Sequence, residues 1–170
     1  MERIPLHIAR FFGLVFIQLF LLKNIGFYTL STPYIYILFI LLLPFKIPNW
    51  ALYTLAFCCG LTIDVFHDTL GLHALACTVL AFGRILFLNL TISNDSLETE
   101  PEPSLSIMGA RWFLLYGLLM AFLHHLTLFT FELFSLSNFG GILIRSILSA
   151  FFTLFLMLVI SLVFYRKKAR

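Results

Sequence analysis

Asp64 stands in the run Gly60-Leu61-Thr62-Ile63-Asp64-Val65-Phe66-His67-Asp68-Thr69-Leu70-Gly71-Leu72-His73, between two stretches apolar enough to lie in a bilayer. Carboxylates and imidazoles this close together are groups that bind a divalent cation. A carboxylate beside hydrocarbon is also costly, so it needs a reason to be there. The spacing of Asp64, His67, Asp68 and His73 matches no zinc pattern, and metal binding would require the loop to fold back on itself.

Other polar groups are sparser. His124 and His125 are adjacent, and neighbouring positions on a helix point about 100° apart, so both cannot face one ligand. One buried imidazole bonded to a neighbouring helix is the expectation. Glu132 and Arg145 fall near the outer ends of the last two apolar stretches, where they would pair if those helices are antiparallel neighbours, closing a hairpin rather than doing chemistry. Arg84 lies close enough to its helix end for its stem to reach the interface. Gln18 is suited to a hydrogen bond across a helix contact, worth about 1 kcal/mol. No nucleophile, base and metal ligand fall together, so no catalytic residue, metal or cofactor is expected and the chain does not read as an enzyme.

The elements that carry these groups are membrane helices. Of 170 residues 61% are hydrophobic and 11% charged, with 21 Phe, and the mean hydropathy is +1.03. No globular interior of this length hides so much apolar surface, so lipid must solvate it. Six apolar stretches run over roughly 7–23, 29–45, 49–64, 70–89, 111–133 and 140–164, predicting an all-α bundle of six transmembrane helices, with five as the fallback because the second and third are short. Pro44 and Pro48 mark a tight turn between those two. The whole chain, 1–170, forms one transmembrane domain.

Basic residues gather at Arg3 and Arg10 and at Arg166, Lys167, Lys168 and Arg170, which with six spans places both termini in the cytoplasm together with Lys46 and Arg111. The first stretch lacks a small-residue cleavage site and is expected to stay as an anchor. Asp95, Glu98, Glu100 and Glu102, with Pro101 and Pro103, predict a flexible acidic cytoplasmic loop at about 91–108. Cys58, Cys59 and Cys77 read as reduced packing residues. Ala56 with Gly60, Gly117 with Ala121, and Ser146 with Ala150 each put two small side chains on one helix face, suited to internal packing.

The block Gly60-Leu61-x-x-Asp64, then Gly71-Leu72-His73-Ala74-Leu75-Ala76, with Arg84 closing the following helix, resembles the signature of the rod shape-determining MreD family. Arg111-Trp112-Phe113, His124-His125, Phe131-Glu132, and Arg145 followed by Ser149 and Thr153 look like a variant of the same family, so the likeness spans nearly the whole chain. The resemblance implies a fold similar to the substrate-binding subunits of energy-coupling-factor transporters. It also implies a non-enzymatic scaffold of the bacterial cell-wall elongation complex in the cytoplasmic membrane. The implied partners are an MreC-like bitopic protein, an MreB-like filament protein, a SEDS glycosyltransferase, a class B penicillin-binding transpeptidase and membrane lipid, with no nucleic acid. Gly60, Asp64, Asp68, Gly71, His73 and Arg84 are the candidate partner-binding or structural motif, and Asp64 is expected to cap a helix end or hold the loop to Gly71. The fold likeness also raises the alternative of a vitamin-like small-molecule binding subunit of a transporter.

Overall fold

The computed structural model describes residues 4–22, 31–93, 101–133 and 139–163. These are helical throughout their long elements: α1 (Ile4–Phe16), which continues as a π-helix over Ile17–Leu22, the short α2 (Ile37–Leu41), α3 (Asn49–His67), α4 (Leu72–Thr91), the single turn α5 (Leu105–Met108), α6 (Ala110–Leu133) and α7 (Phe139–Val163). Five of them, α1 with its π extension, α3, α4, α6 and α7, are long and apolar enough to cross a membrane. The expected sixth spanning helix over 29–45 is not among the described residues.

In its place the chain runs extended from Thr32, turns into the five residues of α2 and ends at Pro44. The local cause is in the sequence Thr32-Pro33-Tyr34-Ile35-Tyr36. Pro33 has no amide proton and biases Thr32 away from helical angles, and β-branched and aromatic neighbours favour extended backbone. Residues 33–43 are buried, several with no exposed surface at all. Non-helical backbone at membrane depth is tolerated only where protein surrounds it, and here the bundle does so.

The helices alternate in direction. Gly60 of α3 meets His73 and Ala74 of α4, a hairpin contact. Gly83 of α4 faces Met120 and Leu123 of α6, while Phe87 packs on Trp112 and Tyr116, so α4 and α6 are antiparallel. Gly117 of α6 faces Leu154 and Met157, and Glu132 reaches Arg145, so α6 and α7 are antiparallel too. The 31–45 segment returns alongside α1, with Pro33 and Ile35 at Gln18 and Phe39 at Phe11. The irregular segment thus makes the return pass that a sixth helix was expected to make.

All six residues of the three small pairs are buried, and Gly60 and Gly117 sit at close helix approaches. Close backbone approach is how helices associate where hydrocarbon offers no driving force.

One end of the bundle gathers the first residues of α1, Lys46, α5 and the start of α6. There Arg10 makes a bidentate pair with Glu102 at 2.6 and 3.0 Å, and the Phe45 amide donates to the Pro101 carbonyl at 3.3 Å. Glu102 and Leu105 are buried. Of the stretch expected as a flexible acidic loop, residues 101–108 are therefore held against the bundle, because Arg10 neutralises the carboxylate that would otherwise draw them into water. Asp95, Glu98 and Glu100 lie outside the described residues.

Candidate functional site

At the opposite end α3 turns into α4, and Asp64 organises the turn. Its Oδ1 accepts the His73 amide at 3.0 Å and its Oδ2 the Ala74 amide at 2.9 Å, with the Thr69 hydroxyl also donating to Oδ1. The first amides of a helix have no intrahelical acceptor, and a carboxylate there satisfies them and complements the helix dipole. Asp64 therefore caps α4 from the preceding helix. Two left-handed residues make the geometry possible, Asp68 (φ 55°) at the end of α3 and Gly71 (φ 85°) before α4. Gly60, one turn before Asp64, admits α4 because any Cβ there would collide with the His73 carbonyl and the Ala74 backbone.

Asp68 is exposed, whereas Asp64 and His73 are each 2% exposed. His73 meets Asp64 through its backbone amide, and its ring points the other way, into the bundle. Asp64, His67, Asp68 and His73 thus do not converge on one point. Leu70, fully exposed at the tip, is presented by a loop fixed at both ends.

The inward face of His73 belongs to a second, larger site built around the extended segment. Its two edges are satisfied as a strand's would be. On one edge Gln18 donates from Nε2 to the Pro33 carbonyl at 3.2 Å and accepts the Ile35 amide at Oε1, 2.8 Å, standing in for a neighbouring strand. On the other edge the Thr32 amide donates to Ser149 Oγ at 3.0 Å and the Tyr34 amide to Thr153 Oγ1 at 3.1 Å. Two residues of strand and one turn of helix each advance roughly 6 Å, so hydroxyls spaced i and i+4 on α7 match amides spaced i and i+2.

The segment's aromatic side chains draw in the histidines. The Tyr34 ring lies 5.0 to 6.5 Å, centroid to centroid, from the rings of His67, His73, His124 and His125. The Tyr36 hydroxyl lies 2.8 Å from both His73 Nδ1 and His124 Nε2, with the Cys77 thiol behind at 3.9 Å. A phenol donates one proton, so one imidazole accepts from Tyr36 and the other donates to it. His124 Nδ1 is buried with no partner. A stranded lone pair is more common in proteins than a stranded N–H, which favours His124 Nε2–H donating to Tyr36 and Tyr36 donating to His73 Nδ1. His124 and His125 are both fully buried and both reach the inner segment, the first bonding the Tyr36 side chain and the second lying 3.1 Å from the Thr32 carbonyl. Where the sequence predicts one buried imidazole bonded to a neighbouring helix, both rings are buried, and both reach the inner segment.

The far end of the segment is closed by Arg84. It does not snorkel: 2% exposed, it donates from Nη2 to the Leu43 carbonyl at 2.6 Å and the Pro44 carbonyl at 3.3 Å, while the Tyr116 hydroxyl donates to the Leu41 carbonyl at 3.2 Å. Leu41 is the last residue of α2, and Leu43 and Pro44 follow its end, where a cation meets the helix dipole favourably. Glu132 and Arg145 pair at 3.4 Å, closing the α6–α7 hairpin, with the guanidinium 4.0 Å over the Phe129 ring.

Gln18, Arg84, His124 and His125 drew notice in the sequence; Tyr34 and Tyr36 did not, because they sit in a stretch that reads as lipid-facing. The signal was Thr-Pro-Tyr-x-Tyr, which breaks helical periodicity where a span should run. Comparison of the chain with protein-family models, with curated proteins and with solved structures gave no match.

Proposed function

We propose that this multi-pass membrane protein is a non-enzymatic scaffold of the bacterial cell-wall elongation complex, similar to the MreD family. The carrying observation is that several polar side chains of the bundle interior are committed to the chain's own 31–43 segment. Gln18, Ser149, Thr153, Tyr116 and Arg84 all bond its backbone. A bundle that spends its polar groups on self-assembly is suited to presenting fixed surfaces, in a membrane where association runs through packing and polar contacts.

In this reading the Asp64-capped loop, with Gly60 and Gly71, presents a rigid surface to an MreC-like bitopic protein, and both termini with Lys46 and Arg111 face the cytoplasm, where an MreB-like filament protein is coupled. The SEDS glycosyltransferase and class B penicillin-binding transpeptidase are reached through the same assembly. Co-expression with the MreC-like protein and purification from membranes tests the reading. A stable complex whose yield falls with Asp64→Ala at matched expression supports it; no complex with the unaltered chain, or a tightly held vitamin in the purified material, overturns it in favour of a transport subunit.

A further inference from the structure

His125 lies between two carbonyls, and a neutral imidazole can donate to only one of them. Nδ1 lies 2.7 Å from the Ala121 carbonyl, one turn back on α6, and Nε2 lies 3.1 Å from the Thr32 carbonyl of the inner segment. Carbonyl oxygens only accept, and a neutral ring carries one N–H, so one of these approaches sets lone pair against lone pair unless the ring carries two protons. Among the described residues the Thr153 hydroxyl, 3.3 Å from Nε2, offers the neutral form an alternative, donating to Nε2 while Thr153 Oγ1 accepts the Tyr34 amide.

We propose that His125 is a proton-binding site, at which proton uptake converts the Nε2 contact with Thr32 into a donated hydrogen bond and fastens the inner segment to α6. The ligand is a single proton; the imidazole gains it at Nε2, the Thr153 hydroxyl turns away, and both ring nitrogens then donate to carbonyls. The groups facing the ring come from every neighbouring element: His124 and Phe129 on α6, Tyr34 on the inner segment, His73 on α4, and Thr153 and Arg145 on α7, the guanidinium held beside Glu132. His124 and His73 share the Tyr36 hydroxyl, and neither ring bonds a carbonyl among the described residues, which sets His125 apart from them.

The test is nitrogen-15 spectroscopy of imidazole-labelled full-length protein in lipid nanodiscs, with His125→Gln assigning the signal. On acidification both nitrogens of His125 are expected to move to imidazolium shifts while His73 and His124 keep one protonated and one bare nitrogen each. Thr153→Val removes the donor that the neutral ring uses, and should move the His125 midpoint to higher pH. A His125 signal that stays neutral while the protein remains folded, or a midpoint unmoved or lowered by Thr153→Val, overturns the proposal.

Discussion

Asp64 and Ala74 meet at 2.9 Å, carboxylate oxygen to backbone amide, so one helix supplies the cap of the next. The bond fixes the turn between α3 and α4 from inside the bundle. Removing it leaves the amides of His73 and Ala74 buried without acceptors. Asp64→Ala should cost about 1 to 3 kcal/mol, and Asp64→Asn should also lose stability because its amide group sets a donor against one of those amides. Thermal unfolding in detergent would show both melting below the parent; an unchanged Asn variant would mean that the carboxylate does not hold both amides.

The two glycines of this turn differ in kind. Gly60→Ala forces a methyl against backbone that cannot yield, so a loss above about 3 kcal/mol is expected. Gly71→Ala meets no atom within 4 Å and bears only the penalty of a left-handed angle, about 1 to 2 kcal/mol. Circular dichroism melts should rank Gly60→Ala well below Gly71→Ala, and the reverse order would contradict the close approach of α3 to α4.

How much of this was legible in the sequence follows from where the information lies. Membrane helices announce themselves by composition, and α1, α3, α4, α6 and α7 fall near the stretches that hydropathy marks. The Glu132 and Arg145 pairing followed from two opposite charges at facing helix ends. The inner segment did not, since Ile35 to Leu43 are as apolar as any lipid-facing helix. What separates burial in protein from burial in lipid is the partner of each backbone group, and those partners, Gln18, Ser149 and Thr153, lie far away in the chain or behind a proline. Arg84 was misjudged for the same reason: its acceptors are carbonyls, which leave no trace in residue type.

Tyr36→Phe is the cleanest probe of the buried chain, because it deletes one oxygen and leaves two imidazole nitrogens without partners. A loss of about 1 to 3 kcal/mol is expected, larger than the roughly 1 kcal/mol typical of a single interhelical hydrogen bond. Denaturation of Tyr36→Phe beside His124→Phe and the double variant should give strongly non-additive losses; simple additivity would show that the two side chains do not interact.

Arg84 should tolerate Lys poorly, since a lysine reaching the Leu43 carbonyl brings a compact, strongly hydrated charge where Arg spreads its own over a planar fork. Arg84→Met, which removes the charge and takes the donor from the buried Leu43 carbonyl, is expected to reduce folded yield in membranes at least as much. Yield after mild detergent extraction, followed by size-exclusion chromatography, reads the effect; parent-like profiles for Arg84→Met would contradict its role as a cap.

Glu132 and Arg145 are partly exposed, so their ion pair should contribute below about 1 kcal/mol and weaken with salt. A double-mutant cycle with Glu132→Gln and Arg145→Gln at low and high ionic strength reads the coupling, and a value well above that, insensitive to salt, would show a pair buried in the assembled state.

Depletion of the protein in a rod-shaped bacterium that carries it tests the scaffold reading most directly. Cells that lose rod shape and round up, while growing without added vitamins, are the predicted result. Cells that keep their rods and instead require a vitamin would contradict it.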